Sequence, residues 1–172
     1  MFKRLVAAAA ALLPTACDGP VTNPGAARSP AAYSHFEYVA GHGPMLLEVH
    51  NAPFGGGAER EDWIFRNFAG AVGPRRITFT RDVEQAVSAP DLRAILVFFP
   101  ATDASPAQLC EGRIRTQPQS QPDRVDAMAV FCSRDQVLSH VSGWVRNLQG
   151  PEDRRLRDFL GQMRRDLFDE RP

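Results

Sequence analysis

Two segments of the chain, residues 92–99 and 125–132, consist almost entirely of apolar residues. Successive side chains of a β-strand point to opposite faces of its sheet, so a strand that is apolar at both alternating sets of positions must be covered on both sides. Both segments are too short to cross a membrane as helices. They are therefore predicted to be the central strands of a sheet around which the core of the protein forms.

The spacing of the other apolar residues predicts the elements around these strands. Alternating apolar and polar residues favour strands at 45–50, 75–81 and 136–146, and a short one at 35–39. Helical spacing predicts amphipathic helices at 59–72 and from Gly150-Pro151 to the end of the chain. A tight turn at 133–135 and other short connections favour antiparallel pairing. The predicted fold class is α+β, a two-layer sandwich of a four- to five-stranded, mainly antiparallel sheet and two amphipathic helices.

Two helices cover only one face of a small sheet, so the other face of the central strands needs a different cover. The connection at 101–124 is unusually long for a compact fold and is either functional or held in place. The candidates for the cover are this connection, the glycine-rich loop at 51–57, and a partner. An apolar sheet face left open is predicted to contact an envelope protein or a lipid.

Three cysteines, Cys17, Cys110 and Cys132, raise the question of pairing. If Cys17 carries lipid, Cys110 and Cys132 remain as a pair, and in an oxidising compartment they are predicted to form a structural disulfide. A bond between Cys110 and Cys132 closes a loop of 22 residues. A loop of this length stabilises a fold by roughly 3 kcal/mol in the chain-entropy model. A redox or metal-binding couple is the alternative, but the chain has no C-x-x-C motif and only His140 lies near either cysteine.

The first seventeen residues have the layout of an export signal, with a cationic start, an apolar run at 5–13, and Pro14-Thr15-Ala16 before Cys17. A helix of nine residues spans only about 14 Å, which is less than the roughly 30 Å of a hydrocarbon core. The run therefore suits export but not a transmembrane anchor. Ordinary cleavage that releases a soluble periplasmic protein is the alternative.

A cysteine at the end of such a signal resembles the acylation site of bacterial lipoproteins, although Pro14 stands where that family usually has Leu. The chain is similar to the many small uncharacterised lipoproteins of Gram-negative bacteria. In outline it also resembles outer-membrane lipoproteins that accompany lipopolysaccharide export or stimulate peptidoglycan synthases, but it carries no motif of either. The resemblance implies a signal peptide at 1–16, lipidation (palmitate) at Cys17, and residence on the periplasmic side of the inner or outer membrane.

Residues 17–34 are rich in Pro, Gly and small side chains without an apolar period, which predicts a flexible tether from the lipidated Cys17. Residues 35–172 are then predicted to form a single α+β domain.

Charge argues against one class of partner. The whole chain has a formal net charge of zero. With no basic surplus, no nucleic-acid partner is predicted. Several arginines of the terminal helix are interleaved with acidic residues, and this favours a solvated face over contact with anionic lipid.

One cluster has the composition of a metal site. Glu48 and His50 are two apart on a predicted strand and share a face, and His42 is close in sequence. The alternative interpretation is an ordinary solvated strand face, and we predict no metal, no cofactor and no catalytic residue. The leading hypothesis is a non-enzymatic, membrane-anchored periplasmic lipoprotein that binds another component of the cell envelope. A small periplasmic hydrolase or metal-dependent enzyme, and a purely structural envelope lipoprotein, are the alternatives.

Overall fold

The computed structural model describes residues 19–26, 28–88 and 90–169. The strands are β1 (Val21–Pro24), β2 (Met45–His50), β3 (Gly70–Val72), β4 (Arg75–Ile77), β5 (Phe79–Thr80), β6 (Leu92–Phe98), β7 (Val125–Ser133) and β8 (Gln136–Val145). The helices are α1 (Ala31–His42), α2 (Ala58–Phe68), α3 (Pro106–Cys110) and α4 (Arg154–Phe168). Six strands form one sheet in the order β1-β8-β7-β6-β2-β5, and β3 pairs with β4 in a separate hairpin.

The main sheet combines antiparallel and parallel pairs. β1, β8, β7 and β6 pair antiparallel in turn, whereas β2 is parallel to both β6 and β5. The predicted mixture of helices with a mainly antiparallel sheet is confirmed. The predicted strand number is too low, and the parallel pairs were not predicted. Parallel strands need a long crossover, and here the chain between β2 and β6 supplies it through α2 and the β3–β4 hairpin.

One face of the sheet packs against α1, α2 and α4 in a continuous apolar core. The ring of Phe168, at the end of α4, lies near its centre. Its centroid is 5.3 Å from that of Phe36 in α1 and 5.2 Å from that of Phe131 in β7. The predicted central strands β6 and β7 are confirmed, and both contribute alternate residues to this core.

The other face has a smaller core under α3. It contains Ile95, Val97, Leu109, Cys110, Val130 and Cys132. The long connection at 101–124 therefore covers part of the second face. It contains a short helix, α3, that was not predicted, although Ser105 and Gln108 form a capping box and Pro106 stands in the first turn. Structure on both faces of the sheet means that the predicted two-layer sandwich does not describe this fold.

The prediction of a flexible tether at 17–34 is wrong for much of the segment. β1 pairs with β8 along four residues, and the hydroxyl of Thr22 donates a hydrogen bond to Asp166 Oδ2 in α4 at 2.5 Å. The backbone N–H of Gly25 continues the contact with a bond to the carbonyl of His140. Folded structure is thus already present at Val21, ahead of the predicted domain start at residue 35.

Several predicted boundaries also change. The predicted strand at 35–39 lies inside α1, where Ala32, Phe36 and Val39 recur at helical spacing and are all buried. The predicted helix at 59–72 ends at Phe68, and its last residues form β3. The predicted strand at 75–81 is divided between β4 and β5. The terminal helix begins at Arg154, where the side chain of Asp153 accepts a hydrogen bond from the N–H of Arg155.

Candidate functional site

The structure places Glu48 and His50 side by side on β2, as the strand prediction requires. His50 Nε2 lies 3.6 Å from Glu48 Oε2, and Arg93 Nε on the neighbouring β6 lies 3.1 Å from Glu48 Oε1. Interaction with His50 and the charge of Arg93 lower the pKa of Glu48, while burial opposes them. Glu48 is therefore an ionised partner of Arg93, whose guanidinium also donates to the carbonyl of Cys110 at 2.6 Å.

His42 does not join this pair. It lies at the end of α1, where its Nδ1 is 2.6 Å from the carbonyl of Tyr38 and its ring stacks on Tyr38 with centroids 4.4 Å apart. Across residues 19–26, 28–88 and 90–169, no three or more His, Cys, Asp or Glu side chains converge as metal ligands would. The set His42, Glu48 and His50 is thus not assembled into one site.

The predicted disulfide between Cys110 and Cys132 is present. It joins the end of α3 to β7, with Cα atoms 5.7 Å apart, and so holds the long connection against the second face of the sheet. Residues 1–18, with the predicted signal peptide and Cys17, lie outside the described residues. In the part that is described, no helix combines the length and apolar character needed to cross a membrane.

The end of the second face formed by β8 and β1 is more open. Trp144 lies there between two guanidinium groups, with Arg124 Cζ 4.7 Å and Arg146 Cζ 5.4 Å from its ring centroid. Val21 beside it on β1 is 44% exposed. Among the described residues, Val21 and Trp144 give this end of the second face the apolar surface that was predicted to meet a partner.

A different site stands out between α2 and α4. A cleft of about 370 Å³ is lined by four arginines, Arg66, Arg157, Arg164 and Arg165, and the described residues contribute one acidic side chain to it, Asp158. We call it the arginine cleft. Asp158 lies 3.5 Å from Arg154 one turn earlier in α4, so its charge is shared with an arginine outside the cleft.

Arg164 is the innermost of these arginines and is only 8% exposed. Its Nη1 donates to the carbonyls of Ala69, at 2.7 Å, and Phe68, at 3.2 Å, and its Nε donates to that of Ala71 at 3.3 Å. Phe68 and Ala69 are the last residue and the C-cap of α2, where a helix leaves its acceptors unsatisfied, and Ala71 lies in β3. The guanidinium of Arg164 therefore lies beside the end of α2, where the unpaired carbonyls favour a positive charge.

The guanidinium of Arg164 has no counter-ion in the described part of the chain. Burial, and then the charges of Arg165 and Arg76, lower its pKa to about 10, so it is still charged at neutral pH. Arg66, Arg157 and Arg165 likewise have no carboxylate partner among the described residues. A buried charge without a partner is costly, and the cost falls when an anion binds beside it.

The prediction of a solvated face for the arginines of α4 is correct for some of them and wrong for Arg164. Arg154 and Arg155 lie near Asp158 and Asp153 on the outer side. Arg164 lies four residues after Leu160 and three before Leu167, at the edge of the apolar stripe. This position beside apolar residues was the signal in the sequence that Arg164 could be buried. The burial also needs the end of α2 to pack against it, and the sequence pattern does not predict that contact.

No family model matches the chain, and neither the curated proteins nor the solved structures contain a significant match.

Proposed function

We propose that this chain is a lipid-anchored protein on the periplasmic side of a bacterial membrane that binds an anionic component of the cell envelope and catalyses no reaction. The arginine cleft carries the proposal, because four guanidinium groups converge there without a carboxylate partner among the described residues. The Cys110–Cys132 disulfide supports an exported location, since such bonds persist in oxidising compartments.

The chemistry of the cleft favours a phosphate group as the ligand. A guanidinium presents several N–H donors in a fixed plane and is less strongly hydrated than an ammonium, so arginines are suited to phosphate oxygens. The cleft offers these donors from two helices, Arg66 on α2 and three residues on α4. With Asp158 as the one acidic lining residue in the described part of the chain, the cleft keeps a positive excess.

The position of the cleft favours the membrane as the source of that phosphate. Pro20 is one of its lining residues and lies three positions after the predicted lipidation site, Cys17. Three residues span at most about 10 Å. Acyl chains on Cys17 would therefore hold the cleft beside the headgroups of the membrane that they enter. The proposed ligand is the phosphate of a neighbouring lipid.

Binding of a soluble headgroup tests the cleft directly. The full chain in micelles of an uncharged detergent is titrated with short-chain phosphatidylglycerol below its micellar concentration, and heat is measured. Replacing both Arg157 and Arg165 by Gln is expected to weaken binding at least tenfold, because each change removes a charge-assisted hydrogen bond worth about 1.5–3 kcal/mol.

The matched control is the double variant Arg113→Gln, Arg134→Gln, which removes the same charge from two exposed positions outside the cleft. Its affinity should stay within about twofold of the wild type, since exposed ion pairs contribute little. Equal weakening in both variants would mean that overall charge, and not the cleft, attracts the lipid.

The anchor has its own test. Cells grown with labelled palmitate should incorporate label into the wild-type chain and none into the Cys17→Ala variant. An unlabelled wild-type chain in the periplasmic fraction would contradict the lipid anchor and leave the cleft to be judged by titration alone.

A further inference from the structure

A second cleft lies at the opposite end of α2 from the carbonyls that hold Arg164. It has a volume of about 300 Å³ and is walled by Phe54, Trp63 and Pro151, with Arg60 at its inner side. Glu59 and Glu152 also line it. We call it the aromatic cleft. The first turn of α2 begins here at Gly57 with no side chain to cap it.

Arg60 is held in one orientation by its neighbours. Its Cζ lies 4.2 Å from the ring centroid of Trp63 and 5.6 Å from that of Phe54. Its Nη1 donates to the carbonyl of Pro151 at 2.5 Å. The residue is 8% exposed, so the guanidinium is almost completely buried. Burial lowers the pKa of Arg60, and the charge of Glu152 partly opposes that effect.

The other edge of this guanidinium is unused. Nε and Nη2 are buried and have no hydrogen-bond partner among the described residues. These two nitrogens lie on the same side of the group and donate in parallel, which is the arrangement that binds both oxygens of a carboxylate. Leaving such donors unpaired is costly, and native proteins rarely do so without a reason.

We infer that the aromatic cleft binds a small ligand carrying both a carboxylate and an ammonium group, such as an amino acid or a very short peptide. The carboxylate accepts hydrogen bonds from Arg60 Nε and Nη2, and the ammonium group faces Glu59 and Glu152. The same two acidic residues disfavour a doubly charged phosphate. A volume of about 300 Å³ is at the small end of ligand pockets, which excludes a long peptide.

The proposed route for the ligand passes the segment beside Arg60. Phe54 is followed by three glycines with φ angles of 91°, 65° and 88°, a backbone that only glycine adopts readily. Because Nε and Nη2 are shielded from water, the carboxylate reaches them by displacing part of this wall. The inference is independent of the arginine cleft, although Arg66 lies on the rim of both.

Three related probes separate the two charges of the ligand. Alanine carries both groups, N-acetylalanine carries only the carboxylate, and alaninamide carries only the ammonium group. Affinity is measured by calorimetry on the full chain in uncharged detergent, and the indole N–H resonance of Trp63 reports where the probe binds. Alanine should bind most tightly and shift the Trp63 signal. Alaninamide should bind at least tenfold more weakly because it leaves the Arg60 nitrogens unpaired.

Substitutions test the roles of the residues. Arg60→Lys keeps the charge but loses the paired donors, so alanine should bind at least tenfold more weakly. Arg81→Lys is the matched control, since Arg81 also lies over an aromatic ring of α2, Phe65, but outside the cleft. The double change Glu59→Gln, Glu152→Gln affects only exposed side chains and should weaken alanine while leaving N-acetylalanine unchanged or bound more tightly.

Three results would overturn the inference: no shift of Trp63 with any probe, unchanged alanine affinity in a folded Arg60→Lys variant, or equal binding of alaninamide and alanine. If Arg60→Lys does not fold, the double glutamate variant decides, and equal loss of alanine and N-acetylalanine affinity would then contradict the assigned roles.

Discussion

At the scale of single residues, the two arginines with the least exposure have different relations to their surroundings. Within the described residues, Arg164 donates to carbonyls at the end of α2 and has no counter-ion, whereas Arg60 has one acceptor and two unpaired nitrogens. Both sit at helix positions that a period of 3.6 places beside apolar residues. Exposed arginines elsewhere, such as Arg113, Arg115 and Arg134, lie in ion pairs whose contribution to stability is small.

His140 provides a pH-dependent test at the same scale. Its Nδ1 is buried without a partner among the described residues, and a Cβ at Gly25 would overlap its ring. Burial lowers the pKa of His140 below 6.5, so the folded state binds fewer protons than the unfolded state around that pH. The free energy of unfolding should therefore fall as the pH is lowered through about 6.5, and the loss ends below the folded-state pKa.

The His140→Gln variant removes this protonation and should flatten that part of the curve. The measurement is urea denaturation at a series of pH values. A slope of the same size in the variant would show that other groups cause the pH dependence.

At the scale of elements, the predictable parts of the fold are those with a simple period and clear ends. β2, β6 and the β7–β8 hairpin follow from alternation or from continuous apolar runs, and α2 and α4 follow from apolar residues three and four apart. α1 was missed because its buried residues, Ala32, Phe36 and Val39, are few and are separated by polar ones. β1 was missed because Asn23 and Pro24 are typical of loops, and only the edge of β8 makes them a strand.

The close approach of β1 to β8 explains why position 143 is glycine. Gly143 pairs with Thr22, and a Cβ at Gly143 would overlap the carbonyl oxygen of Val21 and lie 3.0 Å from a ring carbon of Phe159. Gly143→Ala should therefore destabilise the protein by about 1–3 kcal/mol and speed amide hydrogen exchange in β1. Ser142→Ala is the control, since this neighbour points to the opposite face. Unchanged exchange in β1 with Gly143→Ala would contradict the observed pairing.

The Cys110–Cys132 disulfide attaches one element, α3, to the sheet. Replacing Cys110 and Cys132 together by Ala should reduce the free energy of unfolding by roughly 3 kcal/mol for a loop of this length. Loss of the α3 contact also exposes Ile95 and Val97, so binding of a hydrophobic dye should increase. A loss below about 1 kcal/mol would mean that the apolar contacts of α3 are sufficient without the bond. Reduction of the wild-type chain provides the comparison without substitution.

At the scale of the whole molecule, correcting the tether changes how the protein would sit on a membrane. A flexible tether of eighteen residues would let the domain sample many orientations. With β1 ordered from Val21, only a few residues separate Cys17 from the folded part. The arginine cleft, which includes Pro20, is then predicted to lie at the membrane surface. Trp144 of β8 pairs with Val21 and so marks the same end of the sheet. Asp135, in the turn of the β7–β8 hairpin, is nine residues from Trp144 and therefore about 30 Å from it.

This geometry predicts different depths for two spin labels in the lipidated chain reconstituted in vesicles. A label at Asn67, which lines the arginine cleft, should be broadened by a nickel chelate attached to lipid headgroups, and a label at Asp135 should not.

A long Gly-Ser linker inserted between Gly19 and Pro20 separates the effect of the short connection to the anchor from the affinity of the cleft for headgroups. If the cleft itself binds headgroups, the Asn67 label stays broadened with the linker, because the anchor still gives a high local concentration. Adding Arg157→Gln and Arg165→Gln to the linker variant should then abolish the broadening. Equal broadening of both labels in the chain without a linker would contradict the predicted orientation, and loss of broadening from the linker alone would show that the short connection, and not the arginines, holds the cleft at the membrane.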